Sequence, residues 1–139
     1  MNTSLQAGIK PQFQTIDGLR LRYADSGGWS DQTVLCTSPW PESLYAFAPI
    51  WENLTDHTRV FAVDPPGFGG SERREDLLSP RAMGKFLARL VAEAALPSPH
   101  IVAPDVGTSA ALFAPAAHPD LFSTVIAGHR RSRGTDPAR

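Results

Sequence analysis

Asp105 lies in the segment of this chain that is best suited to nucleophilic chemistry. It follows the short apolar run 101–104 and precedes the small residues 107–111, a pattern typical of a strand, a tight turn and a helix. Such a turn holds one side chain above the end of a sheet, where backbone N–H groups stabilise negative charge that develops beside it. The segment therefore predicts a nucleophile elbow with Asp105 at its tip.

Ser109 is a competing nucleophile, because residues 107–111 match the pattern Gly-x-Ser-x-Ala. The predicted strand ends near Ala103, which places the turn at Asp105 and Ser109 in the first turn of the helix. A serine there more often has a capping or packing role. A lone aspartate after a strand is itself most often a turn former or a helix N-cap, so the assignment needs further context.

The elements that position this turn alternate between strands and helices. A hairpin is predicted over 13–23, with Asp17-Gly18 as its turn, and strands are predicted over 33–36, 59–63 and 123–126 and at Ile101. Helices are predicted over 43–54, from Ser79-Pro80 to the prolines at 97 and 99, and over 108–117, where Pro115 is expected to kink or end the helix. The pattern predicts an α/β fold whose mostly parallel sheet begins with an antiparallel hairpin and carries helices on both faces.

Three separated segments resemble loops of the α/β-hydrolase family in the right order. Residues 64–71, Asp-Pro-Pro-Gly-Phe-Gly-Gly-Ser, resemble its Asp-x-Pro-Gly-x-Gly-x-Ser loop, and residues 39–43, Pro-Trp-Pro-Glu-Ser, resemble the end of its His-Gly-Phe-Pro-Glu-Ser loop. Residues 104–107, Pro-Asp-Val-Gly, resemble the elbow of the branch with an aspartate nucleophile, which includes epoxide hydrolases and haloalkane and haloacid dehalogenases. The resemblance extends from about Thr15 to Ala127.

The resemblance implies a reaction and the residues that perform it. In this branch the carboxylate attacks an electrophilic carbon and forms an alkyl-enzyme ester, which a histidine-activated water then hydrolyses. Asp105 is by resemblance the nucleophile, and the backbone N–H groups of Val106 and Trp40 stabilise the oxyanion. The implied substrate is an epoxide or a halogenated small molecule, and neither an organic cofactor nor a metal is expected.

Several positions depart from the family pattern. Ser38 and Pro39 stand where the family loop has His-Gly, and proline has no N–H to donate. Val106 stands where haloalkane dehalogenases have a tryptophan whose indole N–H holds the departing halide. Trp40 either offers an indole donor or lines a substrate pocket. A third interpretation of the chain is a binding protein whose ligand pocket lies under Trp40 and Trp51.

The glycine-rich loop at 67–70 also invites comparison with a dinucleotide-binding loop. The pattern Gly-x-Gly-x-x-Gly requires a glycine at Glu72, and no helix is predicted to follow at once. The loop is therefore not interpreted as a cofactor site, and Ser71 is predicted to be a hydrogen-bonding residue within it.

The base histidine and its orienting acid follow the elbow in this family, and none of the four histidines, at 57, 100, 118 and 129, matches such a base. Residues 1–127 are interpreted as the N-terminal part of an α/β-hydrolase domain, and 128–139 as a basic, disordered tail. The predicted sheet ends at a strand that is central in this family, which leaves an apolar edge exposed. Such an edge predicts marginal stability and a homodimer formed through it. The alternative function is an inactive remnant that dimerises or binds a ligand.

Composition sets the remaining limits. The 139 residues, 42% of them hydrophobic, suit one domain. A net charge of -1 provides no field for nucleic acid or an anionic membrane, so a small molecule is the expected partner. The single cysteine, Cys36, is predicted to be a buried, inert thiol. The absence of a signal-like start and of a membrane-spanning run predicts a cytoplasmic protein.

Overall fold

The computed structural model describes residues 8–28, 31–105 and 107–128. They form a six-stranded sheet of order β1-β2-β4-β3-β5-β6. The strands are β1 (Gln12–Ile16), β2 (Leu19–Asp25), β3 (Thr33–Thr37), β4 (Arg59–Val63), β5 (His100–Pro104) and β6 (Thr124–Gly128). The helices are α1 (Ala48–Thr55), α2 (Pro80–Glu93) and α3 (Gly107–Ala117), with 3-10 turns at Leu44–Phe47 and Glu75–Leu77.

The sheet is mostly parallel and begins with an antiparallel hairpin, as the sequence predicts. Asp17 and Gly18 both have positive φ angles, 50° and 77°, which the two-residue turn of a hairpin requires. β2 then pairs antiparallel with β4, whereas β4, β3, β5 and β6 run parallel to one another. The carboxyl ends of β3, β4 and β5 therefore meet at one edge of the sheet.

Two apolar clusters cover the two faces of the sheet. On one face, strand residues such as Leu35, Phe61 and Ile101 pack against α2 and α3. On the other face, Cys36 and its neighbours pack against the α1 region, which includes Trp51. Helices thus lie on both faces, as predicted. Burial raises the pKa of the Cys36 thiol to about 12, which keeps it protonated and unreactive.

The end of α2 differs from the prediction that the prolines at 97 and 99 stop it. The helix ends at Glu93, and Ala95 follows in the left-handed region with a φ of 54°. The N–H groups of Leu96 and Ala95 donate to the carbonyls of Val91 and Ala92 at 3.0 and 3.2 Å. These two bonds form a Schellman motif, which closes the helix before either proline is reached.

Ala95→Gly is expected to stabilise the protein by about 1 kcal/mol, because the Cβ of an L-residue is strained in the left-handed region and glycine is not. Urea unfolding followed by far-UV circular dichroism measures the change. Ala94→Gly is the matched control, since Ala94 has right-handed helical angles and glycine there is expected to destabilise. A lower midpoint for Ala95→Gly than for the parent chain would contradict the motif.

Only one stripe of α3 is buried, whereas the uncharged sequence predicts a helix buried against the sheet. Three alanines, at 110, 111 and 114, lie against the core, but Leu112 and Phe113 are exposed. Pro115 lies inside the helix, which continues to Ala117. Its missing N–H therefore falls in the last turn and does not stop the helix earlier.

β6 is the outer strand on its side of the described sheet. It begins at Thr124, one residue after the predicted start, and extends to Gly128, the first residue of the predicted tail. Residues 129–139, including His129, lie outside the described residues. Among the helices that the structure describes, none is long and apolar enough to cross a membrane.

Candidate active site

Asp105 occupies the sharp turn between β5 and α3. Its φ is 60°, a left-handed conformation that residues other than glycine rarely adopt. Its N–H donates to the carbonyl of Gly128 at 2.7 Å, and its carbonyl accepts from the N–H of Thr108 at 3.0 Å. The backbone of Asp105 is thus held on both sides, and its half-buried side chain projects from a strained strand-to-helix turn of the kind that positions a nucleophile.

Close packing under α3 explains why a glycine stands at position 107, two residues after Asp105. A Cβ at Gly107 would lie 2.9 Å from Thr37 Oγ1 and 3.5 Å from Ala103 Cβ, so a larger residue would push the helix away from β3. The Thr108 side chain stabilises the turn through two hydrogen bonds that the sequence does not predict. Its hydroxyl donates to the carbonyl of Ala103 at 3.1 Å and accepts from the N–H of Gly128 at 2.9 Å. The elbow is therefore tied to both β5 and β6.

The loop after β3 starts beside this turn and carries Trp40. Ser38, at the position of the family histidine, is fully buried, and its hydroxyl donates to Asp64 Oδ1 at 2.6 Å. The Trp40 side chain is 56% exposed and meets the ring of Phe68 edge-to-face, with 5.4 Å between the ring centroids. Val106, the other predicted oxyanion donor, lies outside the described residues.

Asp64 joins the loops that carry two of the family motifs. Its carboxylate is fully buried and accepts from four donors. These are Arg22 Nε at 2.8 Å, Ser38 Oγ at 2.6 Å, and the N–H groups of Leu44 and Gly70 at 2.7 and 2.9 Å. A buried carboxylate is stable when it is paired and fully hydrogen-bonded. The network thus fixes the loop after β3 against the loop after β4.

Ser71 is a hydrogen-bonding residue of the glycine-rich loop, as predicted. Its hydroxyl donates to the backbone carbonyl of Asp64 and accepts from the N–H of Arg22 at 2.8 Å. Gly69 and Gly70 approach the Asp64 carboxylate, and no helix starts directly after them. They serve a structural purpose and do not resemble a phosphate-binding loop.

A cavity of about 430 Å³ opens between the two loops, α2 and the start of α3. Apolar side chains form most of its wall, among them Trp40, Phe68, Leu77, Leu78, Met83 and Leu87. Gly107 and Ser109 line it as well, whereas Asp105 is not among the lining residues. Ser109 is exposed on this wall and does not pack into the core. Trp51 is buried on the opposite face of the sheet, so Trp40 and Trp51 do not share a pocket.

The three described histidines lie away from the elbow. His57 precedes β4 and His100 opens β5, so both lie at the amino ends of the parallel strands, opposite to Asp105. His118 follows α3, which returns the chain to that same edge. Within the described ranges, no group of three or more His, Cys, Asp or Glu side chains could hold a metal ion.

The sequence matches a family model described as alpha/beta hydrolase fold over residues 32–127. A dihydrolipoyllysine-residue acetyltransferase component of the acetoin cleaving system of Cupriavidus necator is 33% identical over 96 residues, which are 69% of this chain and 25% of that protein. The uncharacterized hydrolase YugF of Bacillus subtilis is 26% identical over 113 residues, which are 81% of this chain and 41% of YugF. The chain thus spans less than half the length of either relative.

Solved structures show the same arrangement. Cfl2 from Burkholderia cenocepacia superposes with a TM-score of 0.77 at 29% identity, over 94% of this chain and 47% of Cfl2. The epoxide hydrolase CorEH superposes with a TM-score of 0.76 at 24% identity, over 86% of this chain and 41% of CorEH. The haloalkane dehalogenase DatA from Agrobacterium tumefaciens superposes with a TM-score of 0.74 at 20% identity, over 91% of this chain and 43% of DatA.

Proposed function

The chain belongs to the α/β-hydrolase fold family, and from this premise we propose that it carries the nucleophilic part of a hydrolase that acts through Asp105 on an epoxide or a halogenated small molecule. The observation that supports this proposal most directly is the left-handed backbone of Asp105 between β5 and α3. Strain of this kind at a strand-to-helix turn is typical of a residue held for chemistry.

The proposed reaction begins with attack of a carboxylate oxygen of Asp105 on the electrophilic carbon. With an epoxide, a new C–O ester bond forms, the ring C–O bond breaks, and the released alkoxide takes a proton from water. With an alkyl halide, the carbon–halogen bond breaks and the halide leaves. Water then attacks the ester carbonyl, and the backbone N–H groups of Trp40 and Val106 are proposed to stabilise the oxyanion. Collapse of this intermediate breaks the ester C–O bond, releases the alcohol, which is a diol when the substrate is an epoxide, and restores the Asp105 carboxylate.

The second step needs a base that the described residues do not bring to the elbow. His57, His100 and His118 lie at the opposite edge of the sheet, so none of them can activate a water at the Asp105 ester. Since attack does not depend on this base but hydrolysis does, the alkyl ester is expected to accumulate on this chain.

Incubation with styrene oxide, followed by intact-mass spectrometry, tests the proposal. We expect one adduct per chain, with the mass of the epoxide added, and peptide fragmentation is expected to locate it on Asp105. The other carboxylates of the chain serve as internal controls for unspecific alkylation. Equal labelling of several exposed carboxylates, or no adduct on Asp105, would contradict the proposal.

A second candidate function, a dimerising or ligand-binding module without turnover, is favoured by the outer strand β6. Ile126 is 62% exposed and Val125 is also exposed. The strand TVIAG contains no charged residue and no proline, which are the usual devices that block pairing between edge strands. Two copies of β6 paired antiparallel would join the backbone groups that face away from β5 and cover these side chains.

Ile126→Lys is expected to abolish such a dimer, because it places a charge on the strand that must pair. Sedimentation velocity over a concentration series measures the effect. We expect the parent chain to sediment faster as its concentration rises, and the variant to remain monomeric. Leu112→Lys, on the exposed side of α3, is the matched control and is expected to leave self-association unchanged. A parent chain that stays monomeric at all concentrations would rule out the dimer.

A further inference from the structure

The cavity beside the elbow has a wall suited to an uncharged, mostly apolar molecule. No charged side chain occurs among its lining residues in the described part of the chain. Its volume of about 430 Å³ lies in the range of pockets that bind small molecules. A charged group buried against such a wall would lose its hydration without gaining a partner. The bulk of a ligand that fills this space is therefore apolar.

Thr37 contributes a buried hydroxyl to this wall. Its side chain is only 1% exposed, and its hydroxyl oxygen has no hydrogen-bond partner among the described residues. Buried hydroxyls nearly always have a partner, and leaving one unpaired costs stability. Thr37 lines the cavity at the end of β3, directly under Gly107. The free hydroxyl thus belongs to a residue of the cavity wall and lies beside the start of α3.

The other hydroxyls of the wall do not share this property. Ser79 accepts from the N–H of Ala82 and caps α2, and Ser109 is exposed to water. The start of α3, an eleven-residue helix, also faces the cavity through Gly107 and Ala110. Because a helix N-terminus carries partial positive charge, it favours a ligand atom that accepts hydrogen bonds over one that donates them.

We propose that the cavity binds an uncharged, largely apolar molecule with one hydrogen-bond-accepting oxygen, and that the Thr37 hydroxyl donates to that oxygen. The inference rests on the proposed function in one respect, since it takes this cavity to be the place where the substrate sits. It assigns Thr37 as a residue that selects oxygen-bearing ligands over hydrocarbons. Binding of a compound that cannot alkylate the protein tests it separately from the chemistry of Asp105.

Acetophenone and α-methylstyrene are suitable probes, because they have the same shape and differ in a carbonyl oxygen against a methylene group. Amide chemical-shift titrations of the 139-residue chain give both dissociation constants and locate the binding site. The ratio of the two constants in the parent chain is compared with the ratio in Thr37→Val, which removes the hydroxyl and keeps the branched shape. We expect Thr37→Val to weaken acetophenone binding about fivefold and to change α-methylstyrene binding less than about twofold.

Two further variants complete the test. Thr37→Ser keeps the hydroxyl and is expected to retain most of the preference for acetophenone, whereas Ser109→Ala is expected to leave the preference unchanged. Thr37→Val is also expected to unfold at no lower temperature than the parent chain, since it removes an unpaired buried polar group. The proposal is overturned if Thr37→Val leaves the ratio unchanged, if Ser109→Ala lowers it instead, or if neither probe shifts amides around the cavity.

Discussion

Gly69→Ala is expected to destabilise the fold by about 4 kcal/mol or more, which is most of the stability of an ordinary small domain. A Cβ at this position would lie 2.2 Å from Asp64 Oδ2 and 2.5 Å from its Cγ. The carboxylate cannot move aside freely, because Arg22, Ser38, Leu44 and Gly70 all donate to it. Breaking a buried, paired charge of this kind typically costs about 3–5 kcal/mol, and the positive φ of 46° adds about 1 kcal/mol of strain.

Gly27→Ala is the matched control for this prediction. Gly27 also has a positive φ, of 67°, but a Cβ there meets nothing within 4 Å. It therefore carries the conformational strain without the collision and is expected to lower stability by only about 1 kcal/mol. Chemical unfolding followed by circular dichroism and tryptophan fluorescence measures the free energy of unfolding of both variants. Similar losses for the two variants would mean that the Asp64 network contributes little to stability.

The Asp64 network illustrates which features the sequence could not predict. Residues 64–71 are assigned to a loop by their resemblance to a family motif, and the expected hydrogen-bonding role of Ser71 in that loop is confirmed. Three of the four donors to Asp64 lie far from it in the chain, namely Arg22 on β2 and Ser38 and Leu44 after β3. A contact between distant residues leaves no local pattern, so the reason for Gly69 became clear only in the folded chain.

The helices were predicted where periodicity and caps are strong. The predicted start of α2 at Ser79-Pro80 is confirmed, because an N-cap side chain acts on its own neighbours, and the Ser79 hydroxyl accepts from the N–H of Ala82 at 3.1 Å. The end of the same helix was misjudged, since Ala95 adopts the left-handed conformation that sequence rules assign to glycine. The exposure of Leu112 and Phe113 was missed as well, because an uncharged helix gives no sign of which face packs.

The candidate site was predictable to the extent that it follows strand ends. Asp105 and Trp40 both come after parallel neighbouring strands, so their loops had to meet at one edge of the sheet. The unpaired hydroxyl of Thr37 was not predictable, because Thr37 reads as the last residue of an ordinary buried strand. Thr37 becomes a candidate ligand-binding residue because it lines the cavity and because its hydroxyl has no hydrogen-bond partner among the described residues.

Asp105→Asn is expected to reduce alkylation at position 105 by styrene oxide at least about a hundredfold, since an amide oxygen is a far weaker nucleophile than a carboxylate. The variant is expected to fold, because asparagine tolerates the left-handed conformation that Asp105 adopts. Mass spectrometry of the labelled chain measures the loss, and an unchanged unfolding midpoint excludes a structural cause. Asp120→Asn, at an exposed aspartate after α3, is the matched control and is expected to keep full labelling.

Asp105→Glu separates a positioned nucleophile from a merely available carboxylate. Glutamate keeps the charge but moves the attacking oxygens by one methylene group, and a displacement of about 1 Å can cost about a hundredfold in rate. If the elbow aims the carboxylate at the substrate, labelling of the glutamate is expected to be slow although the attacking group is still a carboxylate. Labelling as fast as in the parent chain would mean that the strained turn at Asp105 contributes nothing to the reaction.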